Sequence, residues 1–357
     1  MQSVVLVINP GSTSTKFAVF HGDRCIFDQT LNHSAEELSG FSTIASQYEF
    51  REKAIQEALK ERDFDMSSLN AVVGRGGLLH PIPGGIYRIN EAMKADLLAA
   101  RYGEHASNLG ALIADTFAKQ FGIPAFIVDP VVVDELEDVA RVSGHKLFKR
   151  ISIFHALNQK AVARRFAKER GINYEDITLI VAHLGGGISV GLHRKGRVID
   201  VNQALSGEGP FSPERSGTLP AADLARLCFS GQYTLQEVLK MITGKGGMVS
   251  FLGTNNMRDI EHMRDQGNKE ADFYFQAFVY QVGKYIGSLA PVVEGKVDAI
   301  ILTGGIAFWK ELTERISQMV SFIAPVVVYP GEGELEALAI AGQMALEGEA
   351  EIKEYVP

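Results

Sequence analysis

Residues 4–8, Val-Val-Leu-Val-Ile, are apolar without alternation, the pattern of a strand covered on both faces. A polar turn through residues 9–16 follows, and residues 17–20 resume the β pattern, so the chain opens on a hairpin. Gly22-Asp23 turns the chain into a third strand over 24–31. Ser34 and Glu37 have the spacing of a capping box ahead of a short helix. Residues 48–62 place Phe50, Ala54, Ile55, Ala58 and Leu59 at helical spacing. A short strand over 71–74 runs into Arg75-Gly76-Gly77, a loop rich in proline and glycine extends through Gly85, and helices are predicted from Asn90 and over 105–121. An apolar strand over 125–128 stops at Asp129-Pro130. Strands alternating with helices predict an α/β fold.

Beyond a helix predicted over 155–170, the opening pattern recurs. A strand over 179–183, a glycine-rich turn over 184–187, a strand over 188–193, a tight turn at Lys195-Gly196 and a strand over 197–203 repeat the order of residues 4–31. Two such units half a chain apart predict duplicated domains, each a three-stranded meander continued by helices and parallel strands. The rest of the second half reads as a loop over 206–220 holding Arg215, helices over 221–230 and 234–241, and a glycine-rich loop over 244–256. A long apolar core helix over 270–294 comes next, then a strand over 298–302 ending in Thr303-Gly304-Gly305. A helix over 309–322, a strand over 325–329 and a helix over 334–346 complete the chain.

Composition narrows the function. The length of 357 residues suits two domains, and a net charge of −8 with no basic run argues against nucleic acid as a partner. Positive charge used in chemistry must therefore come from a few placed arginines and lysines. Cys25 and Cys228 lie in apolar segments without metal-ligand spacing and are expected to be buried thiols in a reducing compartment. No apolar run reaches membrane-spanning length and no leader precedes the first strand, so no membrane and a cytoplasmic location are expected.

The turn at 9–16 combines Gly11 with Ser12, Thr13, Ser14, Thr15 and Lys16, hydroxyls and a cation suited to an anion such as phosphate. Hydroxyls in a turn also make purely local bonds. Asn9, Ser12 and Ser14 are placed to meet phosphate or a metal's water shell. Gly185, Gly186 and Gly187 let backbone amides approach phosphate oxygens, and Thr303-Gly304-Gly305 suits a purine or ribose lying against backbone. The chain contains no GxxxxGK[ST], no GxGxxG after the first strand and no His/Cys metal cluster, which removes P-loop, Rossmann and zinc chemistry.

These residues resemble the acetate and butyrate kinases. INPGSTSTK at 8–16 is similar to their first signature, HLGGGIS at 183–189 to their second phosphate motif, and TGGI at 303–306 to their adenosine motif. VGRGG at 73–77, VDPVV at 128–132, FHALNQ at 154–159, ERSG at 214–217, MRDIE at 257–261 and GELEALAIA at 333–341 fall in the family's order, so the resemblance runs nearly end to end. It implies two duplicated actin-like, ribonuclease-H-like domains with an interdomain cleft: an N-terminal one over 1–150 with a C-terminal helix over 337–357, and a nucleotide-binding one over 151–336. It implies ATP/ADP and Mg²⁺ as cofactors, and phosphoryl transfer to a short-chain carboxylate. The chain is nearer the butyrate branch, because NPGSTS, HLGGG and GGIAF stand where acetate kinases usually read NAGSSS, HLGNG and GGIGEN. Butyrate or isobutyrate is the expected acceptor, acetate or propionate the alternative. A non-enzymatic actin-like ATPase is a further rival, and a homodimer or larger assembly is expected.

Site roles follow from the resemblance. Arg75 and Arg215 should clamp the carboxylate and the moving phosphoryl group, His155 should donate a hydrogen bond to the transition state, and Asp129 should orient an arginine or the metal's waters. Ser12, Ser14, Lys16, His183, Gly185, Gly186, Gly187, Asn256, Arg258, Gly304 and Gly305 should bind nucleotide. Asn9 and Glu336 should stand near Mg²⁺, with Glu332 and Glu334 as rivals for the glutamate. Duller roles stand beside these: a helix cap for His155, a turn former for Asp129 and an exposed first-turn acid for Glu336. Carboxylates titrate near pH ~4–5 and are ionised at neutral pH, so no general base is needed and positioning with electrostatics should carry the rate. Closure around nucleotide is expected, with hinges near Arg150 and Gly333.

Overall fold

The computed structural model describes residues 3–357. Its strands are β1 (Val4–Pro10), β2 (Ser14–His21), β3 (Arg24–Asn32), β4 (Ala71–Arg75), β5 (Ile86–Arg88) and β6 (Ala125–Val128). They continue with β7 (Thr178–Leu184), β8 (Ile188–Arg194), β9 (Arg197–Val201), β10 (Ala299–Gly304), β11 (Val326–Pro330) and β12 (Ile352–Glu354). They form a seven-stranded sheet, β12-β5-β6-β4-β1-β2-β3, and a five-stranded sheet, β11-β10-β7-β8-β9.

The chain divides into two units, Met1–Val133 with Gly333–Pro357, and Asp134–Glu332. Each opens with an antiparallel meander, β1-β2-β3 and β7-β8-β9, and each adds parallel strands beside the first, β4 and β10. Both second strands shift register near their ends, at Val19/Phe20 and at Leu192/His193. The shared irregularity supports the duplication read from the sequence better than the strand order does, because hairpins are common and a bulge at one place is a specific feature.

In the first unit Leu6, Ile8, Phe17, Val19 and Val72 face Ile55 and Leu59 of helix Tyr48–Glu61 and Leu109, Ile113 and Phe117 of helix Asn108–Phe121. The other face of the sheet receives helix Glu334–Glu347, whose Gly342 lies so near that a Cβ there would stand 2.6 Å from Val73 and 3.0 Å from Val5. The first strand is thus covered on both faces, as its unbroken apolar run required. Helix Asn108–Phe121 touches β4 backbone to backbone. A Cβ on Gly110 would lie 2.3 Å from the Arg75 carbonyl oxygen, and one on Gly74 would lie 2.2 Å from that of Gly110. This approach seats the end of β4, from which the Arg75 side chain emerges.

In the second unit Ile180, Ala182, Val190, Leu192, Ile300 and Leu302 pack against Phe275, Phe278, Val282 and Ile286 of helix Lys269–Leu289. Leu179, Val181 and Ile301, on the opposite face, meet Val162, Ala163 and Phe166 of helix Ala156–Glu169.

Several expectations are corrected. Residues 134–150 pack with the second unit, because Glu135 pairs with Lys160 at 3.0 Å, Glu137 bonds Arg194, and Arg150 bonds Asp200 at 3.0 Å. The chain therefore crosses between units at Val133/Asp134 and Glu332/Gly333, not at 150/151 and 336/337. The expected C-terminal helix over 337–357 ends at Glu347, and residues 352–354 form β12 beside β5. Both strands have three residues, too few to show a period of two. Cys25 and Cys228 are free but exposed: one lies on the edge strand β3, the other on helix Ala221–Cys228, which has no buried residue. Among the described residues no helix is long and apolar enough to cross a membrane.

Candidate active site

In the first unit Asn9, Arg75 and Glu334 meet. Asn9 Nδ2 donates to Glu334 Oε2 at 2.6 Å, and Arg75 Nη1 donates to the same oxygen at 2.9 Å and to Asn9 Oδ1 at 3.1 Å. The fold delivers all three: β1 and β4 are neighbouring parallel strands ending together, and Glu334 opens the helix that covers them. Glu334 is buried, and among the described residues the other guanidinium nitrogens of Arg75 bond no protein group. Glu336 is exposed in the same helix's first turn, and with burial and Asp28 its charge raises the Cys25 thiol's pKa. The Glu332 backbone carbonyl accepts from Asn158 Nδ2 at 2.6 Å. Of the three rival glutamates the structure thus brings Glu334 to Asn9.

The Gly11–Ser14 turn is organised from beneath by Arg51, which is fully buried. Its Nη1 donates to the carbonyls of Gly11 and Ser14 at 2.7 and 2.9 Å, and its Nη2 to that of Ser12 at 2.9 Å. Thr13 O accepts from the His33 amide at 2.8 Å. Every carbonyl from 11 to 14 is drawn inward, while the amides of Ser12 and Thr13 donate to no group among the described residues. The turn therefore shows N–H groups to an anion, with the exposed Ser12 hydroxyl and the exposed Lys16 at its rim. Lys16 is the cross-strand partner of Asn9 and shares its face of the sheet. Asp129 is buried at the end of β6 with φ 36°, and its Oδ1 accepts from the Gly85 amide at 2.7 Å, fixing the loop before β5.

In the second unit Arg215 lies against the glycine turn. A Cβ on Gly187 would fall 1.9 Å from Arg215 Nη1, so only glycine admits the guanidinium there. Nη1 donates to Ala204 O at 2.8 Å, whereas Nε is buried and has no partner among the described residues. Burial lowers the guanidinium's pKa, and Glu214 only partly opposes this. Ser212 ties the loop to the turn: its hydroxyl donates to Gly186 O at 2.6 Å and accepts from the Arg215 amide at 3.0 Å. Gly304, at the end of β10, has φ 90° and touches Leu184, while Gly305 borders open space.

His155 and His183 stack with ring centroids 3.8 Å apart and planes 9° from parallel. His155 sits at the N-cap of its helix but makes no side-chain cap; its Nδ1 lies 2.8 Å from Ser189 Oγ. His183 Nδ1 lies 2.7 Å from Asn158 Oδ1. Asn256, expected to bind nucleotide, also has a structural task. Its Oδ1 caps helix Met257–Asp265 by accepting from the Arg258 amide at 3.1 Å, and its Nδ2 donates to Asp259 at 2.9 Å. The Arg258 side chain is exposed.

Sequence reasoning passed over Arg51, Asn158, Gln159 and Ser189, and named Glu334 only as a rival of Glu336. Asn158 and Gln159 had a readable signal: with His155 they stand at i, i+3 and i+4, a polar face on a helix that packs inward. Arg51 had none, being one charged residue on an amphipathic helix.

Two buried imidazoles set an acid limit on stability. Burial lowers the pKa of His33, with Arg51 adding to the effect, and burial followed by Lys160 and Arg164 pushes His193 well below its ordinary range. Each is neutral in the folded state, so the unfolded chain takes up the proton first. Stability is full above about pH 6.5 and falls below it, for His193 by about 1.4 kcal/mol per pH unit. Urea midpoints should drop between pH 7 and pH 5, and less so in His193→Gln; equal drops in the two proteins would contradict this.

Residues 139–321 match the model of the acetokinase family. Over 355 residues the chain is 56% identical to butyrate kinase 2 of Clostridium acetobutylicum, covering 99% of this chain and 100% of that protein. It is likewise 56% identical to butyrate kinase 1 of that organism over 351 residues, 98% and 99% of the two chains. The crystal structure of acetate kinase from Porphyromonas gingivalis has the same fold, with TM-score 0.78 and 19% identity over 97% of this chain and 100% of that one. A propionate kinase from Francisella tularensis gives 0.72 at 18% identity over 96% and 99%. The actin-like fold class expected from the sequence agrees with these structures.

Proposed function

The chain belongs to the acetokinase family, and from that premise we propose that it carries the terminal phosphoryl group of ATP to the carboxylate of butyrate or isobutyrate. The reaction gives acyl phosphate and ADP and is reversible. The observation that carries this reading is Arg215, a half-buried cation beside a glycine turn whose buried Nε has no partner among the described residues. Such a group calls for an anion, and a guanidinium serves carboxylate and phosphoryl oxygens alike. Arg75 offers the same chemistry from the first unit, steadied by Glu334 and Asn9. Neither arginine is needed by a protein that only binds and hydrolyses nucleotide.

Asn9 and Glu334 present hard oxygen donors of the kind Mg²⁺ prefers, and two such residues suit an ion that keeps its waters and arrives with nucleotide. In that role Mg²⁺ would neutralise phosphate charge. His155 is the proposed hydrogen-bond donor to the phosphoryl group in transfer. Asp129 is proposed to act by shaping the loop at Gly85.

The same reading takes the protein as a cytoplasmic homodimer or larger assembly. Helix Ala221–Cys228 has no buried residue, and Phe229 and Leu235 beside it are 92% and 69% exposed, apolar surface that a second copy would cover. The free cysteines fit a reducing compartment.

The test is a panel of acetate, propionate, butyrate and isobutyrate with ATP and Mg²⁺, the acyl phosphate being trapped with hydroxylamine. Four-carbon acids should give the highest kcat/KM. Equal or faster reaction with acetate would overturn the choice of acceptor, and ATP hydrolysis without trapped product would overturn the reaction itself.

A further inference from the structure

We infer that a one-way chain of hydrogen bonds from Tyr174 through His193, Gln159 and Ser189 holds His155 as its Nε2–H tautomer. These four are positioning residues for the donor ring, an inference that rests on the role proposed for His155 above.

The direction of the chain is fixed at one atom. Gln159 Nε2 lies 3.1 Å from the backbone carbonyl oxygen of Ser189, which can only accept, so the amide nitrogen must face it and cannot be exchanged with the oxygen. The same nitrogen donates to Ser189 Oγ at 2.8 Å. Gln159 Oε1 then faces His193 Nε2 at 2.9 Å and requires a proton there. His193 is fully buried and neutral, so its Nδ1 is an acceptor and takes the Tyr174 hydroxyl proton across 2.7 Å. At the other end Ser189 Oγ accepts from Gln159 and from the His155 amide at 3.4 Å, which leaves its own proton for His155 Nδ1 at 2.8 Å. A neutral His155 whose Nδ1 accepts must carry its proton on Nε2. The chain runs Tyr174 O–H to His193, His193 N–H to Gln159, Gln159 N–H to Ser189 and Ser189 O–H to His155.

The sheet is built for this row. Ser189, Gly191 and His193 alternate along β8 and share the face turned to Gln159. Gly191 lies between the two polar residues because a Cβ there would come within 2.4 Å of Gln159 Oε1. The companion ring is set independently. Asn158 Nδ2 donates to the Glu332 carbonyl at 2.6 Å, which turns Oδ1 toward His183 and places a proton on His183 Nδ1. The stacked rings therefore differ at Nδ1, which bears a proton in His183 and none in His155.

The test uses the full chain with ¹⁵N-labelled histidine, whose ring nitrogens report by NMR which one bears the proton, without substrate present. In the wild type His155 should be protonated at Nε2 and His193 at Nε2. Ser189→Ala should let His155 sample both forms and lower kcat by about 10- to 100-fold, the range lost with the partner of an oriented imidazole, with both KM values within about twofold. Ser189→Thr, which keeps the hydroxyl, should restore the tautomer. Tyr174→Phe removes only the terminal donor and should change the His193 spectrum, a reading available even if Ser189→Ala fails to fold. Protonation of wild-type His155 at Nδ1, or an unchanged His155 spectrum in Ser189→Ala, would overturn the inference. A locked His155 in a protein that forms no acyl phosphate would instead overturn the proposed function.

Discussion

Replacing Arg215 with alanine is expected to lower kcat by about 10³-fold, the scale on which a cation aimed at a transferring phosphoryl group acts. The protein should stay folded. Among the described residues the guanidinium makes one hydrogen bond, from Nη1 to Ala204 O, and leaves Nε buried without a partner. Removing a half-buried, poorly paired cation takes away a desolvation cost along with that bond, so unfolding free energy should change by less than about 1 kcal/mol or rise. A structural arginine would give the opposite pattern, with stability lost and turnover kept. Arg215→Lys should recover little, because an ammonium lacks the planar fork that spans two oxygens. Steady-state kinetics with urea unfolding measure both quantities, and a kcat within tenfold of wild type would remove Arg215 from the chemistry.

Arg51→Met should show the reverse balance. Methionine keeps much of the side-chain volume but offers no donor to the carbonyls of Gly11, Ser12 and Ser14 or to Gln47. The Gly11 and Ser12 carbonyls lose Arg51 as a donor, Ser14 O keeps the Gly11 amide, and the buried Gln47 Oε1 loses two donors, so a loss of about 3–5 kcal/mol in unfolding free energy is expected. The freed carbonyls can then rotate toward the anion-facing side of the turn, so KM for ATP should rise as well. Urea unfolding at neutral pH checks the first effect. A loss under about 1 kcal/mol would show that the turn holds its own shape.

The two arginines mark what was legible in the sequence. Arg215 was readable because ERSG sits in a loop amid glycines with the rest of a family signature around it. Arg51 was not, because its partners are backbone carbonyls some forty residues away, and main-chain direction leaves no trace in residue types. The meanders and the helix carrying Phe275 and Phe278 were readable from periodicity. Residues 86–88 and 352–354 were not, since each is a strand only through pairing with distant segments, 352–354 with β5 and 86–88 with both β12 and β6. Which of Glu332, Glu334 and Glu336 meets Asn9 also escaped the sequence, because it depends on which residue of a helix start turns toward β1. Gln159 and Asn158 lay within FHALNQ but gained meaning only from the carbonyls they face.

Unit two is continuous in the chain, whereas unit one is interrupted by it and resumes only at Gly333. A ribosome delivers residues in order, so Asp134–Glu332 can fold while the sheet begun by β1 still lacks the helix that covers Val5 and Val73. Until Glu334–Glu347 emerges, that apolar face stays open to chaperones, and Arg75 and Asn9 wait without their carboxylate. The Asn9–Arg75–Glu334 contact is thus closed only by residues made after the whole of unit two, and a nascent chain stalled before position 334 cannot hold it.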